Sequence, residues 1–404
     1  MKLSIAMIVK NEEKNIERTL IPLKQLKNYA NVEIVIVDTG SIDKTVEIAK
    51  QYTDKIYFEE WNNNFADMRN VSIKHCTGDW ILILDADEVL YDIKELAKLI
   101  DGRILNDFNS AFIKIINFNK NVEYSIENGC ISPMMRLFKN DGITYEGLVH
   151  EQPKYKEPIF DSTVRFVHYG YDNSDSKLME YKFNRNLKLL LEELKKEPEK
   201  IYTNFQIATA YVMHNDFRES EKYIDIAYKL VKNEWGKYIY VLDKYCLILY
   251  KLGKYEILVE KSKEAINYCD DFLDFYFYLG TALNSLNKYE EASKAYEKYL
   301  DICSKENLTC NATLSITTKL YRNPLIYNLS TCYYKLEMYE KSLETMLSIK
   351  DKELIQSSAL MMFRILVEGK LYNRFECIND FVDKYNYESI LIYTERDVLL
   401  EELE

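Results

Sequence analysis

The stretch Asp79-Trp80-Ile81-Leu82-Ile83-Leu84-Asp85-Ala86-Asp87-Glu88 decides the architecture of the N-terminal half. Residues 80–84 are apolar without a break, so the segment reads as a strand covered on both faces, as in a parallel sheet flanked by helices. The acidic cluster that ends it falls where open α/β sheets bind ligands, beyond the carboxyl ends of their strands. In an extended chain, residues i and i+2 project to the same side. Asp85 and Asp87 therefore read as adjacent carboxylates, whose repulsion a divalent cation relieves. Mg²⁺ and Mn²⁺ take oxygen ligands and often bind substrate phosphates as well.

Upstream, residues 3–9 form another unbroken apolar run. Helical spacing follows over residues 11–27 through Ile16, Leu20, Leu23 and Leu26. Residues 33–37 repeat the strand pattern and end in Asp38-Thr39-Gly40-Ser41, where Ser41 or Asp43 can cap a helix reaching about Gln51. A short strand at 55–58 and a helix at 65–75 precede the Asp79 stretch. This β-α-β-α order predicts a parallel, Rossmann-like sheet. Such a sheet brings Asn11-Glu12, Asp38-Thr39-Gly40-Ser41 and Asp85-Ala86-Asp87 to one edge. Residues 111–118, 134–138 and 164–167 read as further strands.

From Lys177 onward the signals are helical. Asn215-Asp216-Phe217, Gly253-Lys254-Tyr255, Asn287-Lys288-Tyr289 and Glu337-Met338-Tyr339 each separate two helical patterns. The step from Tyr255 to Tyr289 is 34 residues, the tetratricopeptide length. Leu279-Gly280, Tyr289, Ala292 and Tyr296 occupy the small and aromatic positions of that repeat. The first copy keeps Tyr211, Phe217 and Ala227. An insertion is expected near residues 304–320, and a degenerate fifth copy around Tyr372. With Asp172-Asn173-Ser174-Asp175-Ser176 read as a linker, the domains are residues 1–175 and 176–404.

A net charge of −12 argues against nucleic acid and against electrostatic docking on anionic lipid. No apolar run approaches the ~18 residues of a transmembrane helix, and the first strand lacks the features of a signal peptide. The 8 cysteines include no C-x-x-C pair, so reduced thiols in a cytoplasmic protein are expected.

Several motifs in order, Ser4-Ile5-Ala6-Met7-Ile8-Val9-Lys10-Asn11-Glu12, Val37-Asp38-Thr39-Gly40-Ser41, Phe65-Ala66-x-x-Arg69-Asn70 and the Asp79 stretch itself, resemble a family 2, GT-A-type glycosyltransferase. Fusion to tetratricopeptide repeats is similar to a subgroup that includes S-glycosyltransferases of bacteriocin peptides. The resemblance implies a Rossmann-like GT-A domain followed by an all-α solenoid. It also implies a metal-dependent, inverting transferase of the hexosyltransferase class. Its donor would be a UDP-sugar and its cofactor Mn²⁺ or Mg²⁺. Val9, Asn11 and Glu12 would wall the nucleotide pocket, and Asp38 would contact the base or ribose. Arg69 would lie near the nucleotide, although Met68 replaces the usual small residue. Asp85 would sit near ribose and metal with Ala86 beside it, and Asp87 would bind the metal directly. His168, after a strand, would complete the metal shell.

Arg136-Leu137-Phe138 and Glu146-Gly147-Leu148-Val149-His150-Glu151 resemble the subgroup's second catalytic segment. A glycosyl acceptor loses a proton as it attacks, so a carboxylate base is needed. Glu151 is the expected base, with Glu146 behind it, and His150 would orient Glu151 or the substrate. The opposing structural reading pairs Glu151 with Arg136 or Lys154. His75 and His214 read as structural. The repeats point to a protein or peptide acceptor, with a homodimer through them also possible. A cell-surface glycan or lipid-linked acceptor, and a repeat scaffold with a relic transferase domain, stay open as alternatives.

Overall fold

The computed structural model describes residues 1–117, 130–169, 176–305, 314–371 and 373–374. Phe118, the linker residues 172–175 and Tyr372 lie outside the described residues.

The described strands are β1 (Lys2–Val9), β2 (Asn31–Asp38), β3 (Ile56–Phe58), β4 (Trp80–Leu84), β5 (Glu88–Leu90), β6 (Ser110–Asn117), β7 (Cys130–Lys139), β8 (Tyr145–Glu146), β9 (Gln152–Pro153) and β10 (Ile159–His168). Eight of them form one sheet in the order β3-β2-β1-β4-β7-β6-β10-β5, and β8 pairs with β9 in a separate hairpin. β3, β2, β1 and β4 run parallel, whereas β7 is antiparallel to both β4 and β6. The apolar runs have the two-sided burial that their sequence requires. On one face Leu3, Ile5, Met7, Leu82 and Leu84 pack against Ile16, Leu20 and Leu23. On the other, Ala6, Val35, Ile81 and Ile83 pack against Ala66 and Ile73. Leu82→Ala would cost about 2–5 kcal/mol by leaving a void in that close-packed layer.

Register sets the height of the site. Val9 lies opposite Asp38, and Leu84 opposite Met7, so β1, β2 and β4 release their chains at nearly one level. Four helices flank this part: α1 (Ile16–Leu26), α2 (Thr45–Ala49), α3 (Phe65–Lys74) and α4 (Ile93–Asp101). The helix expected from residue 11 starts only at Ile16. Residues 11–13 bind the next loop instead: the Asn11 and Glu12 amides donate to Ser41 Oγ and Thr45 Oγ1, and Asn11 Oδ1 accepts from the Ile42 amide.

The helical half has α5 (Ser176–Lys196), then the pairs α6 (Ile201–Met213) and α7 (Phe217–Val231), α8 (Trp235–Leu252) and α9 (Tyr255–Tyr268), α10 (Leu273–Ser285) and α11 (Tyr289–Cys303), and α12 (Arg322–Lys335) and α13 (Tyr339–Leu347). Two further helices, α14 (Lys352–Ser357) and α15 (Ala359–Glu368), follow. The four turns singled out in the sequence share one geometry. Asn215, Gly253, Asn287 and Glu337 all adopt φ between 59° and 68°. The next residue's amide reaches back five positions in each: Asp216 to Tyr211, Lys254 to Leu249, Lys288 to Leu283 and Met338 to Tyr333. This is the Schellman closure of a helix. Lys370, with φ 53° and a Leu371-to-Leu366 bond, repeats it at the start of the expected fifth copy. Gly280 is obligatory for packing, because a Cβ there would stand 2.5 Å from the Tyr296 ring.

Packing divides the chain into two compact units, Met1–Asn233 with Ala312–Ser315, and Glu234–Asn311 with Ile316–Glu404. The change from mixed to helical signals falls near residue 176, but the first helical pair belongs to the unit that holds the sheet. Among the described residues, no helix is long and apolar enough to cross a membrane.

Candidate active site

The chain leaving β4 does not continue extended. Residues 85–88 form a turn closed by the Glu88 amide on the Asp85 carbonyl, 3.2 Å, which reverses into β5. The side-by-side geometry expected for Asp85 and Asp87 is therefore corrected: a turn sends the two carboxylates to different partners. Thr19 Oγ1 of α1 holds the intervening Ala86 carbonyl at 2.7 Å.

Asp85 faces two arginines. Its Oδ1 accepts from Arg69 Nη2 at 2.7 Å and its Oδ2 from Arg136 Nη2 at 2.8 Å. Burial opposes ionisation, but the charges of Arg136 and Arg69 outweigh it and hold the carboxyl well below the usual range. Arg136 also reaches Glu88 Oε1 at 3.1 Å, and Glu88 Oε2 accepts the Asp85 amide at 3.0 Å. Both Asp85 oxygens therefore accept from guanidinium groups, and neither meets Asp87.

Arg69 is 5% exposed and links Asp85 to the segment that carries Glu151. Its Nε donates to Glu151 Oε1 at 2.7 Å, so the ion-pair partner of Glu151 is Arg69, not Arg136 or Lys154. Lys154 pairs with the exposed Glu146 instead. Arg69 Nη1, Arg136 Nε and Tyr145 Oη are buried without hydrogen-bond partners among the described residues. The motif around Arg69 explains the join. Asn64 caps α3 through the Asp67 amide, and the next residue, Asn70, clamps β8. Its Nδ2 donates to the Tyr145 carbonyl at 2.9 Å, and its Oδ1 accepts the Tyr145 amide at 2.7 Å. The Phe65 amide holds the Leu148 carbonyl at 3.1 Å. His150 is exposed, has φ 53°, and makes no side-chain hydrogen bond to Glu151 among the described residues.

At the end of β2, Asp38 is 3% exposed. Its Oδ1 accepts the Gly40 and Ser41 amides, both at 3.0 Å, while Oδ2 is buried without a partner among the described residues. An unmatched buried acceptor is costly, so a ligand donor at that point has a place to go. Thr39 ties this loop back to the Val9 carbonyl through its amide and hydroxyl. Val9, Asn11, Glu12 and Asp38 are thus joined as one wall.

Asp87 meets His168, which β10 presents opposite Glu88 of β5. His168 Nε2 lies 3.3 Å from Asp87 Oδ2, and its Nδ1 lies 2.9 Å from Asn117 Oδ1. Burial disfavours the imidazolium, but Asp87 and the charges of Glu88 and Asp85 raise its pKa. Among the described residues, no three His, Cys, Asp or Glu side chains gather as a complete metal cage. Asp87 and His168 nonetheless fit two positions of a Mg²⁺ or Mn²⁺ shell, because such ions commonly add substrate phosphate and water oxygens to one or two protein ligands. Asn117 accepting from Nδ1 would leave Nε2 available as the ligand atom.

Glu88, Asn117 and Tyr145 were not foreseen as site residues. Glu88 stood in the quoted acidic cluster, but Asn117 and Tyr145 carried no local signal. His75 and His214, read as structural, stack on Tyr57 and Phe183.

Residues 4–146 match the family described as Glycosyl transferase family 2, and paired helices follow that part of the chain. The SPbeta prophage-derived glycosyltransferase SunS of Bacillus subtilis (strain 168) is 31% identical over 204 residues, 49% of this chain and 46% of that protein. A TPR repeat-containing protein of Synechococcus elongatus is 24% identical over 280 residues, 66% of this chain and 66% of that protein. The match thus spans about half to two thirds of these relatives' own length. Among solved structures, the MamA protein aligns over 43% of this chain and 84% of its own, at 14% identity and TM-score 0.35.

Proposed function

We propose that this protein transfers a hexosyl group from a nucleotide sugar of the UDP-sugar class to a protein or peptide acceptor, with inversion at the anomeric carbon. The observation that carries the reading is the common level at which β1, β2 and β4 end, which gathers Asp38, Asp85 and Asp87 at one edge of a family 2 domain.

In this reading the unmatched Asp38 Oδ2 accepts an N–H or O–H of the base or ribose, within the wall formed by Val9, Asn11 and Glu12. Ala86 holds the floor between the two acids. A bound Mn²⁺ or Mg²⁺, held by Asp87 and His168, would offset the charge that builds on the departing diphosphate. Asp85 fixes Arg69 and Arg136 near that charge. Glu151 removes the acceptor proton: Arg69 holds Oε1, leaving Oε2 to act as base. Glu146 lies further out on the same hairpin. Acceptor binding by the repeats supplies positioning remote from the reacting atoms. Cys76, Cys246, Cys269, Cys303 and Cys332 are free, which fits work in the reducing cytoplasm.

The test is a panel of UDP-sugars incubated with the full chain and Mn²⁺, with released UDP measured. Slow metal-dependent hydrolysis of one sugar identifies the donor. Release of pyrophosphate would make the protein a nucleotidyltransferase instead. Absence of any UDP-induced thermal shift, with or without metal, would remove the donor reading and leave a scaffold.

A further inference from the structure

The loop that carries Glu151 is gripped from two sides, and one grip comes from the first helix of the repeats. Gly147 has φ 99° and His150 has φ 53°, so the backbone inverts twice within four residues. Glycine accepts this freely; a histidine does so at some cost, because its Cβ crowds the carbonyl oxygen in the left-handed region. Hydrogen bonds hold His150 there. Its carbonyl accepts Tyr202 Oη of α6 at 3.2 Å and Gln152 Nε2 at 3.2 Å, and Gln152 Nε2 also donates to Tyr202 Oη at 2.5 Å. The phenol thus contacts both neighbours of Glu151 in the chain, donating to one and accepting from the other. Burial pushes the Tyr202 pKa up, so it stays a donor at ordinary pH.

The other grip is α3, whose Phe65 amide, Asn70 side chain and Arg69 guanidinium hold Leu148, Tyr145 and Glu151. Arg185 of α5 lies over the Phe65 ring at 5.6 Å, so the helical segment also touches this second grip. Both grips lie within the Met1–Asn233 unit.

We infer that Tyr202 is a positioning residue for Glu151, acting through the His150 carbonyl, so that the first repeat helix belongs to the catalytic apparatus. The inference rests on Glu151 being the base. Without the phenolic hydroxyl, His150 relaxes to negative φ, the 150–151 peptide rotates, and the Glu151 side chain leaves its line with Arg69.

The experiment compares the full-length wild type with Tyr202→Phe, which keeps the ring and removes the hydroxyl. Hydrogen exchange by mass spectrometry on peptides spanning 145–155 should speed about tenfold, with the rest of Met1–Asn233 unchanged and Tm within about 2 °C. UDP-glucose turnover with Mn²⁺, or that of whichever UDP-sugar the panel selects, should lose about 10–100-fold in kcat with KM within about twofold. Gln152→Ala leaves the Tyr202–His150 bond in place and should give a smaller change in both. Unchanged exchange and unchanged kcat in Tyr202→Phe would overturn the proposal. So would exchange that rises throughout the unit with a fallen Tm, which marks a structural strut. The exchange result stands apart from the chemistry: if Glu151→Gln retains turnover, the base assignment fails, whereas the hold on the loop is judged on its own.

Discussion

Asp85 and Asp87 are separated by a single alanine, yet they sit in opposite physical situations. Asp85 has a guanidinium on each oxygen, inside a network with Glu88 and Glu151. Asp87 has one imidazole at 3.3 Å on the far side of the turn. A buried charge is tolerable only when its partners are built in, and those partners then need it in return. The two acids teach that position in a motif does not fix a side chain's surroundings: Asp85 is held between two guanidinium groups, whereas Asp87 faces the His168 imidazole.

Substitution separates the two sides. Asp87→Asn should lower sugar transfer by about 10³-fold or more, since an electrostatic group acting on the leaving charge is lost, while Tm stays within about 2 °C of wild type. Near-native turnover would strip Asp87 of its role and end the contrast. Asp85→Asn should destabilise the first compact unit by about 3–5 kcal/mol, because Arg69 and Arg136 lose their shared anion while buried. Denaturant unfolding would read this, and equal stability of the two Asn variants would break the comparison. Glu151→Gln should cut transfer by about 100-fold or more and spare UDP affinity, because Arg69 still has Asp85. If UDP binding falls with activity, Glu151 belongs to the donor site, and Glu146 becomes the base to test.

The smallest expected effect lies in the second unit, where a similar contrast recurs between the buried Asp274 and the half-buried Asp243. Asp274 accepts four hydrogen bonds from Thr317 and Thr318. Among the described residues Asp243 has no such donors, and burial with the nearby Asp274 charge pushes it up to about 7, against Lys244. Unfolded, the same carboxyl titrates at about 3.9. Between these values the folded chain keeps a proton that the unfolded chain has lost, so this group's contribution to stability is present at acid pH and lost as pH rises through about 7. Asp243→Asn should therefore match wild type near pH 4 and gain an increasing advantage up to about pH 7. Thermal unfolding from pH 4 to 8 would show it; a constant difference would mean that Asp243 is not held protonated.

Much of this was legible along the chain. The unbroken runs at residues 3–9 and 80–84 announced strands covered on both faces, and the core clusters on both sides of the sheet follow that reading. The four turn tripeptides marked the repeats because each needs a left-handed residue, which Asn and Gly supply at low cost; Glu337 adopts it without that advantage. The start of α1 was misplaced, because helical spacing does not reveal that Asn11 and Glu12 bond to the loop after β2. The turn at Asp85 was missed for a related reason, since acidic residues serve an extended end and a reversal equally well.

The sequence by itself determined the first four strands and the repeat turns, the level edge of polar clusters, and the residue types gathered there, because burial periodicity and turn chemistry are local properties of neighbouring residues. Only the tertiary structure decided which donor meets which carboxylate. Asp85 finds Arg69 across 16 residues and Arg136 across 51, and Arg69 finds Glu151 across 82. Those pairings depend on register, on the turn after β4 and on the clamp that Asn70 places on β8, and a charge has no local preference that would betray a partner so distant in the chain.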